Sequence, residues 1–264
     1  MVLELPEADA SPLAHPPLEL VVCQLRFEER VIVADPRVIL AIQAVLAERA
    51  GDPFSKLEPV KRAQLEIAIN PQGSGGQTQV LATGWRLRSD DSRWTVTVMP
   101  DHVIVETTRY PGWSEGFRPV LHALLGAVAD HIQPSIEQRL GLRYINSIRV
   151  DDAESTVDWR LYIAPRLLGV LGDEVIGPHV QTTQQQFVIE VDDKVLCSVR
   201  HGLVSDETNS EAPSYVLDFD VYRDHGQPFD AGSVKLASDN FNDFALRLFH
   251  ASITHTLLER LRTA

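Results

Sequence analysis

Asp218 and Asp220 alternate with Leu217, Phe219 and Val221, so the two carboxylates share the polar face of one extended segment. Such a pair can hold a cation or act as proton donor and acceptor. No third ligand can be placed beside them, and a solvated strand face gives the same pattern. The nine histidines raise a metal reading. His250 and His255, however, are five residues apart on a helical stretch and point about 140° from each other, whereas helical ligand pairs stand four apart. Gly73-Ser74-Gly75-Gly76 is rich in glycine but lacks a following helix whose N-terminus would hold a phosphate, and it reads as a hairpin loop. The chain carries no Gly-x-Ser-x-Gly elbow, phosphate loop, His-Glu-x-x-His or Cys-x-x-Cys motif.

The candidates for recognition are stronger than those for catalysis. Gly141-Leu142-Arg143-Tyr144-Ile145-Asn146 echoes Gln24-Leu25-Arg26-Phe27-Glu28-Glu29, which places Arg26 and Arg143 at matching points of two similar stretches. A guanidinium fork there suits a carboxylate or phosphate. Asn146 falls on the apolar side of its strand with Tyr144 and Ile148, so its amide is expected to tie the strand to a neighbouring loop or helix end. Gln181-Thr182-Thr183-Gln184-Gln185-Gln186 is polar on both alternating faces. Such a strand either lies at a sheet edge or turns Gln181, Thr183 and Gln185 into a groove that hydrogen-bonds a peptide or small polar ligand. Trp85, Trp94 and Trp113 read as core in preference to stacking platforms.

These residues need a scaffold, and hydrophobic periodicity supplies one. Residues 1–17 carry four prolines and read as a flexible arm. Val21, Cys23, Leu25 and Phe27 mark a strand, and Asp35-Pro36 opens a helix that Gly51 stops. Four strands follow at about 63–70, 78–88, 93–99 and 102–109, joined by Gln72–Gly76 and by Ser89–Ser92. A helix then runs over about 114–131, and Pro134 bars its continuation. In the second half a strand at 139–150 precedes a short helix near 158–171, interrupted at Pro165. Strands at about 179–191, 194–204 and 214–223 come next, and a long helix over about 237–261, capped by Ser238 or Asp239, closes the chain. The expectation is an α+β protein with a first repeat at 18–134 and a second at 135–264, packed as one curved antiparallel sheet with both long helices on one side. That element order resembles the two-repeat saddle of TATA-binding-protein-like folds, an analogy of architecture that carries no function with it.

Charge narrows the partners. With 37 acidic against 24 basic residues the formal charge is −13, and no Lys/Arg run interrupts it. Phosphate backbones and anionic lipid are repelled, so neither nucleic acid nor membrane is expected, and a basic protein becomes the favoured partner. No stretch reaches the length of a membrane span, the N-terminal residues are unlike a signal peptide, and Cys23 and Cys197 read as small buried hydrophobes. A cytoplasmic setting is expected.

The Gly141–Asn146 stretch also carries a family resemblance. With Pro16-Pro17-Leu18-Glu19, Gly84-Trp85-Arg86-Leu87-Arg88-Ser89-Asp90, Trp113, Phe117 and the terminal Phe249 and Ser252-Ile253-Thr254, the chain resembles a sporadically distributed family of bacterial proteins of about this length. The resemblance implies no activity, cofactor or catalytic residue. The patchy occurrence of that family is like that of defence, toxin-neutralising and mobile-element genes. The favoured expectation is a non-enzymatic interaction module, antitoxin-like or immunity-like, without a cofactor. The alternative is a sensor that binds a small polar ligand between sheet and helices through Arg26, Arg143 or the Gln/Thr strand. An enzyme built on Asp218 and Asp220 is the least supported reading, because a lone acidic pair is not a site.

Overall fold

The structure, a computed structural model, describes residues 3, 5–9, 11, 13–51, 53–70, 73–150, 156–204 and 213–263. The described residues fold as α+β around a single antiparallel sheet of ten strands. In chain order these are β1 (Leu18–Phe27), β2 (Lys56–Asn70), β3 (Gly73–Arg88), β4 (Trp94–Met99), β5 (His102–Thr107), β6 (Ile136–Ile148), β7 (Gln185–Asp192), β8 (Val195–Val204), β9 (Ser214–Arg223) and β10 (Gln227–Pro228). Across the sheet they run β2-β3-β4-β5-β1-β6-β9-β8-β7, with β10 beside β6. The strands expected of the two halves therefore lie on opposite sides of a central β1–β6 pair, in which Leu25 faces Leu140 and Gln24 faces Gly141.

The alternation that marked β1 and β6 separates two environments. Val21, Cys23, Leu25, Phe27, Leu140 and Leu142 are buried, and they join Phe219 and Val221 of β9 in one hydrophobic core. Burial of a side chain of this size contributes about 1.5–3 kcal/mol. The alternate residues Val22, Gln24, Arg139 and Arg143 are half-buried, and Arg26 is exposed.

Among the described residues five helices complete the core: α1 (Pro36–Ala50), α2 (Arg118–Ala127), α3 (Pro165–Leu168), α4 (Ala231–Ser252) and α5 (His255–Arg262). Asp35 caps α1 by accepting from the Arg37 amide, Pro36 occupies its first turn, and Gly51 at φ 66° ends it. The helix expected over 114–131 is composite. A π-turn at Trp113–Phe117 leads into α2, and a second π-turn at Val128–Ile132 leads out to Gln133 at φ 52°. Helix α4 packs on β6 and β9 and also meets α2.

Three expected elements are corrected. The final helix begins at Ala231 behind an Asp230 cap, so Ser238 and Asp239 lie inside it. It also breaks at Ile253, where Ile163 forms a β-bridge, the Ala164 amide donates to the Ser252 carbonyl and the Thr254 amide to the Tyr162 carbonyl. A distant segment thus takes the backbone bonds that would have continued the helix, and Thr254 caps α5 afresh. Pro165 opens α3 instead of interrupting a helix, with 3-10 turns at Thr156–Leu161 and Gly169–Gly172 on either side. Gly73–Gly76 are not a loop but the start of β3, paired with Ile67–Asn70; Gln72 lies outside the described residues.

The N-terminal arm drapes over the surface and is tied down. The His15 amide donates to the Leu261 carbonyl at 3.0 Å, Ser147 donates to the Pro17 carbonyl at 2.8 Å, and Arg262 reaches Asp9 at 2.7 Å.

Candidate functional site

The arm closes over a cavity. About 630 Å³ of space lies between the end of β6, the face of α4, the loop at Tyr110–Glu115, and Ser11, Leu13, Pro16 and Leu18 from the arm and the start of β1. From α4 come Asn242, Ala245, Leu246 and Phe249, spaced as one helical stripe. The small Ala245 stands where a larger residue would fill the gap. The sheet supplies Tyr144 and Asn146 from β6 and Phe219 from β9. Volume, apolar walls and a few converging polar groups are those of a small-molecule site.

The polar groups are positioned by the fold. Tyr144 donates from its hydroxyl to Asn242 Oδ1 at 2.7 Å, which links sheet to helix. Asn146 Nδ2 donates to the Leu217 carbonyl on β9 at 3.2 Å, so the amide ties β6 to the neighbouring strand where a loop or helix end was expected, and it also lines the cavity. Tyr110 stands edge-on to Tyr144, with centroids 6.0 Å apart and planes at 89°. Burial pushes the Tyr110 phenol up to about 12 and the Tyr144 phenol well above its ordinary value, so both are neutral hydrogen-bonding groups at physiological pH. Trp113 stacks on Phe117 at 5.8 Å and donates from Nε1 to Asp239 Oδ1 at 2.9 Å. Arg118 Nε holds the same carboxylate at 2.8 Å, which fixes the loop against α4.

None of Arg26, Arg143, Gln181, Thr183 and Gln185 lines this cavity. Arg143 belongs to a charged ladder among the outward-facing residues of the sheet. Its Nε and Nη2 each reach Asp218 at 2.7 Å, and Arg200 stands 3.5 Å from the same carboxylate. Arg139 lies 2.8 Å from Asp220 and 4.9 Å over the Tyr222 ring. Its guanidinium also lies against Gly141, where a Cβ would come within 2.3 Å of Arg139 Nη1. The hydrogen bonds that Arg143 donates to Asp218 raise the pKa of Arg143, and burial raises that of Asp220 against the pull of Arg139 and Arg143. Asp218 and Asp220 are therefore counter-ions of arginines. Arg26 pairs across the ladder with Arg139, whereas Arg143 pairs with Val22. The matched arginines are thus four residues apart along the strand, roughly 13 Å, and Arg143 is already engaged by Asp218.

The Gln/Thr segment lies at an edge. Gln181–Gln184 precede β7 without regular structure, and β7 is the terminal strand. Thr183 exchanges two bonds with Leu203, its amide donating to the Leu203 carbonyl and its Oγ1 accepting from the Leu203 amide, both at 2.9 Å. Gln185 lies over Gly169. Thr183 and Gln185 thus pack against β8 and the turn at Gly169 along the sheet margin.

Of the tryptophans, Trp94 is core, Trp85 donates to the Val33 carbonyl at 3.0 Å, and Trp113 faces the cavity. Cys23 and Cys197 are buried free thiols, and burial raises both to about 12. Tyr110 and Asn242 carry no mark in the sequence, and Trp113, expected in the core, lines the cavity; a hydroxyl-bearing Tyr144 and an amide Asn146 on an otherwise apolar face were the available signal. No helix among the described residues is long and apolar enough to cross a membrane. No protein-family model matches the sequence, and no curated protein matches it.

Proposed function

We propose that the protein is a non-enzymatic binding module that holds a small, largely apolar molecule between β6, β9 and α4. The observation that carries this reading is the cavity of about 630 Å³, whose aromatic and aliphatic walls surround the Tyr144–Asn242 pair and Asn146. Two neutral phenols and two amides offer orientation by hydrogen bonding, and the walls offer affinity by burial. This reading departs from a sensor of a small polar ligand held by Arg26, Arg143 or the Gln/Thr strand: the ligand is largely apolar, and the residues that meet it are those of the cavity. The test is a thermal-shift screen of small aromatic and alkyl compounds on the wild type and on the cavity-filling variants Ala245→Trp and Leu246→Trp. Compounds that raise the Tm of the wild type should lose that effect in the filled variants. A screen without hits, or hits that persist in both variants, defeats the reading.

A second reading, an antitoxin-like or immunity-like partner of a basic protein in the cytoplasm, is supported by the margin of the sheet. No other strand among the described residues pairs with the far edge of β7, which exposes Phe187 at 40% and Val188 at 55% beside Glu190 and Asp192. An edge of this kind can accept a strand from another chain, and the −13 charge steers basic ones. Binding of this type would slow in on-rate as salt rises.

The two-half plan belongs to the same proposal. Gln24 and Gly141, the first residues of the echoing stretches, face each other in the β1–β6 ladder. A two-fold axis between repeats would pass through that pair. Superposing 18–131 on 138–261 tests it, since Leu25-Arg26-Phe27 must then fall on Leu142-Arg143-Tyr144.

A further inference from the structure

The charges around the cavity say more about its occupant than its shape does. Among the described residues that line it, Glu115 is the only carboxylate, and neither lysine nor arginine is present. A buried carboxylate or phosphate would meet no counter-ion among these residues, and only neutral hydroxyl and amide groups to replace its hydration. Two guanidinium groups, those of Arg93 and Arg109, line an adjoining space of about 350 Å³ that shares Pro16, Leu18, Tyr110 and Pro111 with the cavity. Both are turned onto Asp91: Arg93 Nε lies 3.3 Å and Arg109 Nη2 3.5 Å from its Oδ2.

Five rings line the same space: Tyr110, Trp113, Tyr144, Phe219 and Phe249. Tyr110 and Tyr144 meet at 89° and so form a corner of ring faces and edges. Trp113 is backed on one face by Phe117 and locked by its bond to Asp239 at 2.9 Å, so little ordering remains to be done when a ligand arrives. Aromatic faces are negative, and they attract an ammonium group whose hydration has been stripped. The overall charge of −13 raises the local concentration of cations.

Resting on the cavity as a ligand site, we infer that its ligand is an organic cation, an alkylated ammonium group seated among Tyr110, Trp113 and Tyr144 with Glu115 at the entrance. A neutral molecule gains the same burial without the ring and carboxylate attraction, and an anion is rejected.

Three probes of one shape separate these cases: choline, its neutral isostere 3,3-dimethylbutan-1-ol, and the anion 3,3-dimethylbutanoate. Titrated calorimetrically into the full chain, choline should bind about ten-fold or more tighter than the alcohol, and the anion weakest. Trp113→Leu should remove most of that preference. Glu115→Gln, a change at an exposed position, should reduce it several-fold without disturbing the fold. If the alcohol binds as tightly as choline, or the anion binds best, the charge assignment is overturned while the cavity stands as a site. If none of the three binds, both the assignment and the cavity reading are overturned.

Discussion

Tyr144 on β6 and Asn242 on α4 are joined by a hydrogen bond of 2.7 Å, the point at which the sheet and its longest helix are tied by polar side chains inside the cavity. Tyr144→Phe keeps the ring and leaves Asn242 Oδ1 without its donor. A loss of about 1–2 kcal/mol is expected in urea denaturation. An unchanged midpoint would mean that water replaces the hydroxyl at no cost.

Asn146→Ala removes the bond to the Leu217 carbonyl and should cost about 1–3 kcal/mol. Because Asn146 also lines the cavity, the variant should bind any cavity ligand more weakly once folded. Full stability with abolished binding would make it a site residue alone.

On the outward-facing ladder, Arg143 and Asp218 share two bonds of 2.7 Å. Asp218 is 8% exposed at its side chain and keeps only Arg200 at 3.5 Å when Arg143 is removed. Arg143→Ala should therefore destabilise by about 1–3 kcal/mol, while the double variant Arg143→Met, Asp218→Leu should recover much of the loss. Equal losses in the single and double variants would show that packing, not the stranded carboxylate, sets the cost.

Gly202 has φ 156°, and a Cβ on it would lie 2.0 Å from the Thr183 carbonyl oxygen. Gly202→Ala must push the 181–184 lead-in away from β8 or shift the strand, at a cost of about 1–3 kcal/mol. Loss of amide-exchange protection should concentrate in β7 and β8. Protection lost evenly over the sheet would contradict this placement.

The pH dependence has a definite sign. Burial lowers the pKa of His201, as it does for His102, His122 and His250. Unfolded histidine titrates near pH 6.5, so as pH falls below about 6.5 the unfolded chain takes up protons that the folded chain refuses. The stability contributed by these groups is fully present above that value and is lost toward pH 5. His201, whose Nδ1 lies 2.8 Å from the Tyr215 hydroxyl, isolates one share of the effect. The stability difference between pH 7.5 and 5.5 should be smaller in His201→Gln than in the wild type, and an identical difference would exclude His201 as a contributor.

How much of this was legible in the sequence follows from the range of the forces involved. The strands β1, β6 and β9 show in their alternation, and α1 shows in Asp35-Pro36 and Gly51, because these are local signals. The break between α4 and α5 does not show. Its cause is the Ile163–Ile253 bridge, set by tertiary packing of a segment far away in the chain. Arg143 looked available for a ligand because its counter-ion, Asp218, is brought beside it only by the β6–β9 register. Six polar residues at 181–186 could be read as edge or groove until the strand order placed β7 last. The cavity was least legible. It is space left by packing, and the Asn242, Ala245, Leu246 and Phe249 stripe reads in sequence as an ordinary core-facing helix.

The most direct test of the cavity as a ligand site is the indole N–H region of a ¹⁵N–¹H NMR spectrum, which carries one signal for each of the four tryptophans. Trp113 lines the cavity, whereas Trp159 is fully buried among Tyr162 and Tyr215 and does not. On titration with choline or with 3,3-dimethylbutan-1-ol, the Trp113 signal should move to saturation while that of Trp159 stays fixed. A Trp113 signal indifferent to both probes, or a Trp159 signal that moves in its place, would contradict it.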